Sequence, residues 1–249
     1  MAVPPPKSTP DLPLIHLLPN LLTILAICAG LTAIRFGYQG DFEKAVRLVL
    51  IACVLDGLDG RLARLLKCES QVGAELDSLA DFVNFGVAPA LIVHAWALQD
   101  YSGFGWIAVL GYAVCCVLRL ARFNVDNGQD TSETKGDFFV GLPSPAGAML
   151  AMLPMYLSFL VDELQNPPGA VISGYLLIVG LLMISRLPTY AWKNAAIASE
   201  YSRYVLIGAV LTAAALLTYL WLTLIVLTVA YAVSVLIAGW SVLKSKRQT

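Results

Sequence analysis

The sequence predicts an all-α polytopic membrane protein, in which a six-helix core is followed by two further transmembrane helices. Of its 249 residues, 58% are hydrophobic and only 13% are charged, whereas soluble domains carry about 25% charged residues. The mean hydropathy is +0.74, and a soluble fold of this size cannot cover so much apolar side chain with polar surface. A disordered chain is excluded because too much apolar surface would stay in water.

Eight hydrophobic segments approach the length of a membrane-crossing helix, which is about 20 residues. We predict spans at residues 20–38, 43–64, 73–98, 104–123, 145–161, 169–185, 203–219 and 221–243. A proline-rich tail, residues 1–14, precedes them. The first six spans hold nearly all of the unusual polar residues, whereas the last two are plain apolar helices.

The basic residues predict the orientation of these spans. With the N-terminus in the cytoplasm, thirteen of the sixteen lysines and arginines fall on the cytoplasmic side, and only Arg35, Lys44 and Arg47 fall on the other. Cytoplasmic loops are enriched in Lys and Arg, so both termini are predicted to be cytoplasmic. The net charge of −1 leaves no basic footprint for a nucleic-acid partner.

The five cysteines predict neither disulfides nor a zinc site. Their number is odd, no C-x-x-C occurs, and most of them lie in apolar segments. We interpret them as small residues of the membrane core.

Four aspartates lie at the facing ends of the second and third spans, where acids are costly and are functional candidates by default. They are Asp56, Asp59, Asp77 and Asp81. The first pair is spaced i,i+3 and the second pair i,i+4, so each pair shares one helix face. Because consecutive spans are antiparallel, the four carboxylates are predicted to converge. Like charges at such distances need a counter-charge, and all-oxygen ligands favour Mg²⁺ or Mn²⁺, as one ion or a pair.

Small residues surround these carboxylates and leave room for a ligand to approach the backbone. They are Gly57, Gly60, Ala63 and Gly73. The alternative is that they serve only close helix packing. Arg61 and Arg64 are either anchors at the membrane edge or phosphate contacts, and beside a metal site Arg64 is the better phosphate candidate.

This segment is similar to the signature of the CDP-alcohol phosphotransferase family, D-x-x-D-G-x-x-A-R-x8-G-x-x-x-D-x-x-x-D, at all eight fixed positions. The resemblance covers residues 15–190, which we take as the family's membrane domain; residues 191–249 would add two helices and a basic tail. It implies an enzyme that moves a substituted phosphate from a CDP-linked donor to an alcohol, with release of CMP. A homodimer is also implied.

The same resemblance implies the roles of individual residues. Two divalent cations would be held by Asp56, Asp59 and Asp77, with Asp81 as fourth ligand and general base. The CDP-lipid would lie against Gly60, Ala63, Arg64 and Gly73, and against Asn20 and Thr23 at the start of the first span. For Asn20, the alternative is a helix N-cap.

Two further segments concern the acceptor alcohol. The fourth span ends in Arg119-Leu120-Ala121-Arg122-Phe123-Asn124, and Gly141-Leu142-Pro143-Ser144-Pro145-Ala146 precedes the fifth. Arg119 and Arg122 are suited to grip a carboxylate, although lipid headgroups would also attract them.

Together the two segments resemble the phosphatidylserine synthase branch of the family. This implies CDP-diacylglycerol and L-serine as substrates, Arg119, Arg122 and Asn124 on the acceptor side, and a location in the inner membrane. Glycerol 3-phosphate or inositol phosphate would also favour arginines, so the residues alone leave the acceptor open. The rival of another class is a divalent-cation transporter. Transporters tend to have repeated halves and sites near the midplane, whereas here one motif lies at a membrane edge.

Overall fold

The computed structural model describes residues 14–101, 103–128, 138–161, 168–185, 188–190 and 202–245. The tail before Leu14 and the end of the C-terminal tail lie outside the described residues. So do three basic residues predicted to be cytoplasmic, Lys135, Arg186 and Lys193.

The described residues form ten α-helices and two short strands. The helices are α1 (Leu18–Tyr38), α2 (Phe42–Leu66), α3 (Gln71–Asp81), α4 (Ala88–Val93), α5 (Phe104–Gly128), α6 (Ser144–Ala151), α7 (Leu153–Ser158), α8 (Gly169–Ile184), α9 (Ser202–Thr218) and α10 (Leu220–Ser245). A 3₁₀ turn, Leu14–Leu17, precedes α1. A π-helical segment, π1 (Phe82–Val87), joins α3 to α4, and a second one, π2 (His94–Leu98), extends α4, so that Gln71–Leu98 forms one helical span.

The all-α membrane class is confirmed. In the part of the chain that the structure describes, four helices are long and apolar enough to cross a bilayer: Ile15–Tyr38, Gln71–Leu98, Phe104–Val125 and Leu220–Ile237. Two shorter apolar helices cover Gly169–Ile184 and Leu206–Thr218. The helix α2 has 25 residues but carries the charged residues of the signature, so it is less apolar than its neighbours.

Prolines interrupt two spans, and tyrosine hydroxyls compensate for the missing hydrogen bonds. Pro89 has no N–H to donate to the carbonyl of Phe85, four residues before it. The buried hydroxyl of Tyr112 donates to that carbonyl instead, at 2.9 Å. The Phe85 carbonyl of π1 therefore keeps a hydrogen-bond donor just after the third span leaves Asp81.

The predicted fifth span is divided into α6 and α7 at Met152. Pro154 stands two residues further on, so the carbonyl of Leu150 loses its helical donor. The hydroxyl of Tyr175 on α8 donates to this carbonyl at 2.6 Å. The break is therefore held by a neighbouring helix, as membrane-embedded backbone requires.

Small residues bring α1 close to its neighbours. The buried face of α1 consists largely of Ala26, Gly30, Ala33 and Gly37. A Cβ at Gly30 would overlap the side chain of Asn84 on π1, and a Cβ at Gly37 would lie 3.2 Å from Ile92 Cγ1 on α4. Such small-residue stripes permit close helix approach in membranes, and this one fixes α1 against the helices that carry the aspartates.

A two-stranded ribbon, which the sequence did not predict, joins the segments after α5 and α8. The strand β1 (Phe138–Val140) pairs antiparallel with β2 (Pro188–Tyr190), with Phe139 opposite Thr189. Beside it, Gly141 has φ +91, and a Cβ there would lie 2.8 Å from the Met183 carbonyl oxygen. This close approach explains the glycine and fixes the start of α6 against the end of α8.

Candidate active site

The buried face of α2 ends in the first two aspartates of the site. Its buried residues Ala45, Val49 and Ala52 are spaced by four and three residues, and the same spacing continues to Asp56 and Asp59. Asp56 and Asp59 therefore lie on the same face of α2 as its buried residues, and this face points to the interior of the bundle. Asp59 is only 3% exposed.

A tight turn places α3 against this end of α2. Lys67, at the C-cap of α2, adopts the left-handed conformation with φ 51. Ser70 then caps α3, because its hydroxyl accepts a hydrogen bond from the Gly73 N–H at 3.0 Å. The second pair of aspartates, Asp77 and Asp81, consequently comes to lie beside the first.

We call the four carboxylates the acidic cluster: Asp56, Asp59, Asp77 and Asp81. Each of the six pairs within it interacts electrostatically. The carboxyl groups of Asp56 and Asp81 also lie within hydrogen-bonding reach of each other. The structure thus brings together the four residues that helical spacing predicted to converge; their role as metal ligands stays a prediction.

Asp59 is held by two donors. The hydroxyl of Thr23 on α1 donates to Asp59 Oδ2 at 2.6 Å, and the backbone N–H of Gly60 donates to Oδ1 at 2.6 Å. Thr23 is itself buried, at 4% exposure. The Thr23 hydroxyl therefore helps to orient the Asp59 carboxylate, and Thr23 is also a residue of the predicted nucleotide pocket.

The donor set fits a hard divalent cation. All ligand atoms of the cluster are carboxylate oxygens, and Asp56 Oδ1 is buried without a hydrogen-bond partner. In the described part of the chain, the salt bridges are Lys44–Asp41 and Arg47–Glu43, and neither involves the cluster.

The acidic cluster does not form a metal site by itself. No group of three or more Asp, Glu, His or Cys side chains among the described residues is placed so that it could hold a metal ion. A site built on the cluster would need further ligands, and Mg²⁺ is commonly bound by one or two carboxylates together with water and substrate phosphates.

A cleft of about 570 Å³ opens beside the cluster, between α1, α2 and α3. It is lined by Pro19, Asn20, Thr23, Asp59, Gly60, Ala63, Arg64, Cys68, Glu69, Ser70, Gly73, Ala74 and Asp77. All six residues predicted to contact a CDP-lipid are in this lining. The sequence did not predict Cys68, Glu69 and Ser70, which belong to the turn between the two motif halves.

Three small or polar residues shape the cleft. A Cβ at Gly60 would meet no atom within 4 Å, so the glycine faces open space. A Cβ at Gly73 would lie 3.0 Å from Asn20 Oδ1, so this glycine lets the Asn20 amide approach α3. Asn20 lies inside α1, whose N-cap is Leu17; the alternative interpretation of Asn20 as an N-cap is therefore wrong.

The cleft lining is acidic, with Asp59, Glu69 and Asp77 against Arg64. An anionic phosphate ligand would be repelled by these three carboxylates without an added positive charge. The guanidinium of Arg64 is exposed at the rim, and its Nε donates to the Gly60 carbonyl at 3.0 Å.

The predicted acceptor residues are divided between two places. Arg119 lies near the cluster, where it interacts electrostatically with Asp81 and donates to the buried hydroxyl oxygen of Ser144. Arg122 instead donates to the carbonyl of Ile184, the last residue of α8, at 3.0 Å. The Asn124 amide donates to Ser78 Oγ at 3.0 Å, so Asn124 connects α5 with α3.

Sequence reasoning missed Ser144 and Tyr231 as parts of this region. Ser144 lies inside the quoted Gly141–Ala146 segment, and its position between two prolines was the available signal. Tyr231 interacts electrostatically with Arg119, although the last two spans had been interpreted as plain apolar helices. A tyrosine in the middle of an apolar helix was the available signal.

Comparisons with known proteins agree with the motif. The family model described as CDP-alcohol phosphatidyltransferase matches residues 16–185. A relative from Mycobacterium leprae is 43% identical over 223 residues, which cover 86% of this chain and 72% of the relative. One from Helicobacter pylori is 36% identical, covering 70% and 71%, and one from Bacillus subtilis is 33% identical, covering 65% and 86%. All three are named CDP-diacylglycerol–serine O-phosphatidyltransferase.

Proposed function

Because the chain belongs to the CDP-alcohol phosphatidyltransferase family, we propose that it transfers the phosphatidyl group of CDP-diacylglycerol to the hydroxyl of L-serine, giving phosphatidylserine and CMP. The observation that carries this proposal is the convergence of the eight signature residues around the acidic cluster and its cleft. The names of the relatives favour serine as the acceptor.

The cleft between α1, α2 and α3 is the proposed site of the cytidine diphosphate. Gly60 and Ala63 leave space beside the backbone, and Arg64 at the rim is placed to contact a phosphate oxygen. Asn20 and Thr23 form the α1 wall of the same cleft. Donor binding should therefore depend on the open volume next to Gly60.

The family is generally dependent on divalent cations, and we propose that the acidic cluster holds Mg²⁺ or Mn²⁺, in two sites. Asp56, Asp59, Asp77 and Asp81 would provide the ligands. When bound, such ions neutralise phosphate charge and align the attacking and leaving oxygens. The unpartnered Asp56 Oδ1 and the acidic cleft support this assignment.

Asp81 is the proposed general base. Its carboxylate accepts the proton of the serine hydroxyl, and the serine oxygen forms a bond to the phosphorus that bears the diacylglycerol. The bond between this phosphorus and the bridging oxygen breaks, and CMP leaves with that oxygen. Asp81 then returns its proton to solvent.

Arg119 is the proposed contact for the serine carboxylate. Its guanidinium is the basic group that interacts with Asp81, so a ligand held there would present its hydroxyl to the base. The hydrogen bond to Ser144 orients the guanidinium. Arg122 and Asn124 lie further along α5 and, in this proposal, shape the entrance through their contacts with Ile184 and Ser78.

The donor's acyl chains need an apolar environment, and a groove of about 670 Å³ lies next to the cluster. It runs between α2, α6, α9 and α10, and Leu55, the neighbour of Asp56, forms part of its wall. We place one acyl chain in this groove. The phosphates of the donor would then lie at the boundary between the groove and the polar cleft.

The site is proposed to face the cytoplasm from the inner membrane, with both termini on the same side. Support comes from the thirteen of sixteen basic residues that this orientation places inside. The family match supports residues 15–190 as the catalytic unit, with 191–249 as an addition and 1–14 as a tail. A homodimer is proposed from the family resemblance alone.

An acceptor panel tests the proposed function. Purified protein in detergent is incubated with CDP-diacylglycerol and Mn²⁺ or Mg²⁺, and CMP release is measured with serine, glycerol 3-phosphate, inositol or inositol phosphate. We expect phosphatidylserine and CMP in equal amounts with serine and little product with the others. Product with another acceptor in place of serine would contradict the serine assignment, whereas no CMP with any acceptor would contradict the whole proposal.

A further inference from the structure

A tyrosine on the last helix lies beside the proposed acceptor site. Tyr231 belongs to α10, which is outside the segment matched by the family model. Within the described residues, α10 packs against α6, α7 and β2. Because α6 begins at Ser144, the partner of Arg119, this packing brings α10 next to the acceptor side of the site.

The hydroxyl of Tyr231 is buried without a hydrogen-bond partner. A buried hydroxyl without a hydrogen-bond partner is destabilising, and buried tyrosine hydroxyls usually find a partner. The ring borders the apolar groove, whose wall near it is formed by residues such as Leu224, Leu227 and Thr228. The aliphatic part of this wall has no acceptor for the hydroxyl.

One charged group, Arg119, lies near Tyr231. Arg119 interacts electrostatically with Tyr231 and also with Asp81. The phenol and the guanidinium are not hydrogen-bonded to each other, since the Tyr231 oxygen has no partner. A carboxylate that binds Arg119 has two oxygens, and the second of these would be available to a neighbouring O–H donor.

We propose that Tyr231 is a specificity-determining residue that donates its hydroxyl hydrogen to the carboxylate of the acceptor amino acid bound at Arg119. This inference rests on the proposed function. It assigns to the last helix a direct part in acceptor recognition, in addition to its contribution to the apolar groove. The hydroxyl could donate in the same way to an anionic phosphate oxygen of the donor lipid, and the test distinguishes this source from the acceptor carboxylate.

The test is the variant Tyr231→Phe, which removes the hydroxyl alone. We expect the KM for serine to rise about ten- to a hundredfold, the range for losing a hydrogen bond to a charged group, while the KM for CDP-diacylglycerol stays within about twofold. The melting temperature without ligands should not fall, because the hydroxyl has no partner to lose. Tyr219→Phe is the matched control, since Tyr219 is in the same helical hairpin and is 67% exposed.

Three results would overturn the inference. An unchanged KM for serine would show that the hydroxyl does not contact the acceptor. A rise confined to the KM for CDP-diacylglycerol would assign the hydroxyl to the donor lipid. A lower melting temperature with unchanged kinetics would make the role structural. Wild-type protein that makes no phosphatidylserine would instead remove the proposed function, and this inference with it.

Discussion

Replacement of Asp81 by Asn is expected to lower turnover by about 10²- to 10⁴-fold, the usual contribution of a general base. The amide is nearly the same size as the carboxylate but cannot accept the proton of the acceptor hydroxyl. Because Asp81 is not in the lining of the cleft, binding of the CDP-lipid should remain detectable. Turnover is measured as CMP release, and donor binding by titration of the variant with a non-reactive CDP-lipid analogue.

The matched control for this substitution is Asp41→Asn. Asp41 caps the other end of α2, where its side chain accepts a hydrogen bond from the Lys44 N–H at 3.2 Å. Asn caps helices about as well as Asp, so this variant removes a charge without disturbing the helix. It should retain wild-type turnover. An Asp81→Asn variant that turns over at a rate near that of the wild type would refute the role of Asp81 as the base.

Replacement of Gly60 by Val is expected to close part of the cleft and to lower kcat/KM for the donor about 10- to 100-fold. A Cβ at Gly60 meets no protein atom within 4 Å, so the fold can accept the larger side chain. The bound donor would collide with the valine side chain, because Gly60 lines the cleft. Overpacking of this kind costs about 1–3 kcal/mol. The measurement is the dependence of CMP release on the concentration of CDP-diacylglycerol.

Gly57→Val is the control on the same helix. A Cβ at Gly57 also meets nothing within 4 Å, but Gly57 does not line the cleft. We expect this variant to bind donor as the wild type does. Equal losses of kcat/KM for the donor in the two variants would mean that added side-chain volume on α2 is harmful at either position. Wild-type kcat/KM in both variants would mean that the donor does not lie against Gly60.

The acidic cluster could be predicted because its geometry is local. Spacings of three and four residues place Asp56 with Asp59 and Asp77 with Asp81 on single helix faces, and a short loop makes the two helices antiparallel neighbours. The same periodicity predicted small residues beside the carboxylates, whereas the placement of Gly60 and Gly73 in a CDP-lipid pocket was implied by the family resemblance.

The acceptor side could not be predicted in the same way, because its contacts join residues distant in the chain. Arg119 and Arg122 are spaced i,i+3, as Asp56 and Asp59 are, yet of these two arginines only Arg119 lies near Asp81. Arg122 instead donates a hydrogen bond to the Ile184 carbonyl at the end of α8. The nearness of Tyr231 to Arg119 depends on how α10 packs against α6.

Backbone irregularities were also only partly predictable. Proline kinks or breaks an α-helix when it stands inside one, so irregular helix geometry near Pro89 and Pro154 is compatible with the sequence, although the fifth span was predicted as one helix and is divided at Met152. The hydroxyls that replace the lost donors, from Tyr112 and Tyr175, lie on other helices. The ribbon of β1 and β2 pairs residues 48 to 52 positions apart in the chain, and three-residue strands carry too little pattern to be recognised.

A Mn²⁺ titration followed by electron paramagnetic resonance tests directly whether the acidic cluster binds divalent cations beside the CDP-lipid cleft. The wild type should bind Mn²⁺, and CDP-diacylglycerol should change the spectrum of the bound ion. Asp59→Asn should weaken Mn²⁺ binding at least about tenfold, since even outer-shell changes commonly cost that much, whereas Asp41→Asn should not. Equal Mn²⁺ binding by the wild type and Asp59→Asn, with no change in the spectrum on addition of the lipid, would show that the acidic cluster is not the cation site.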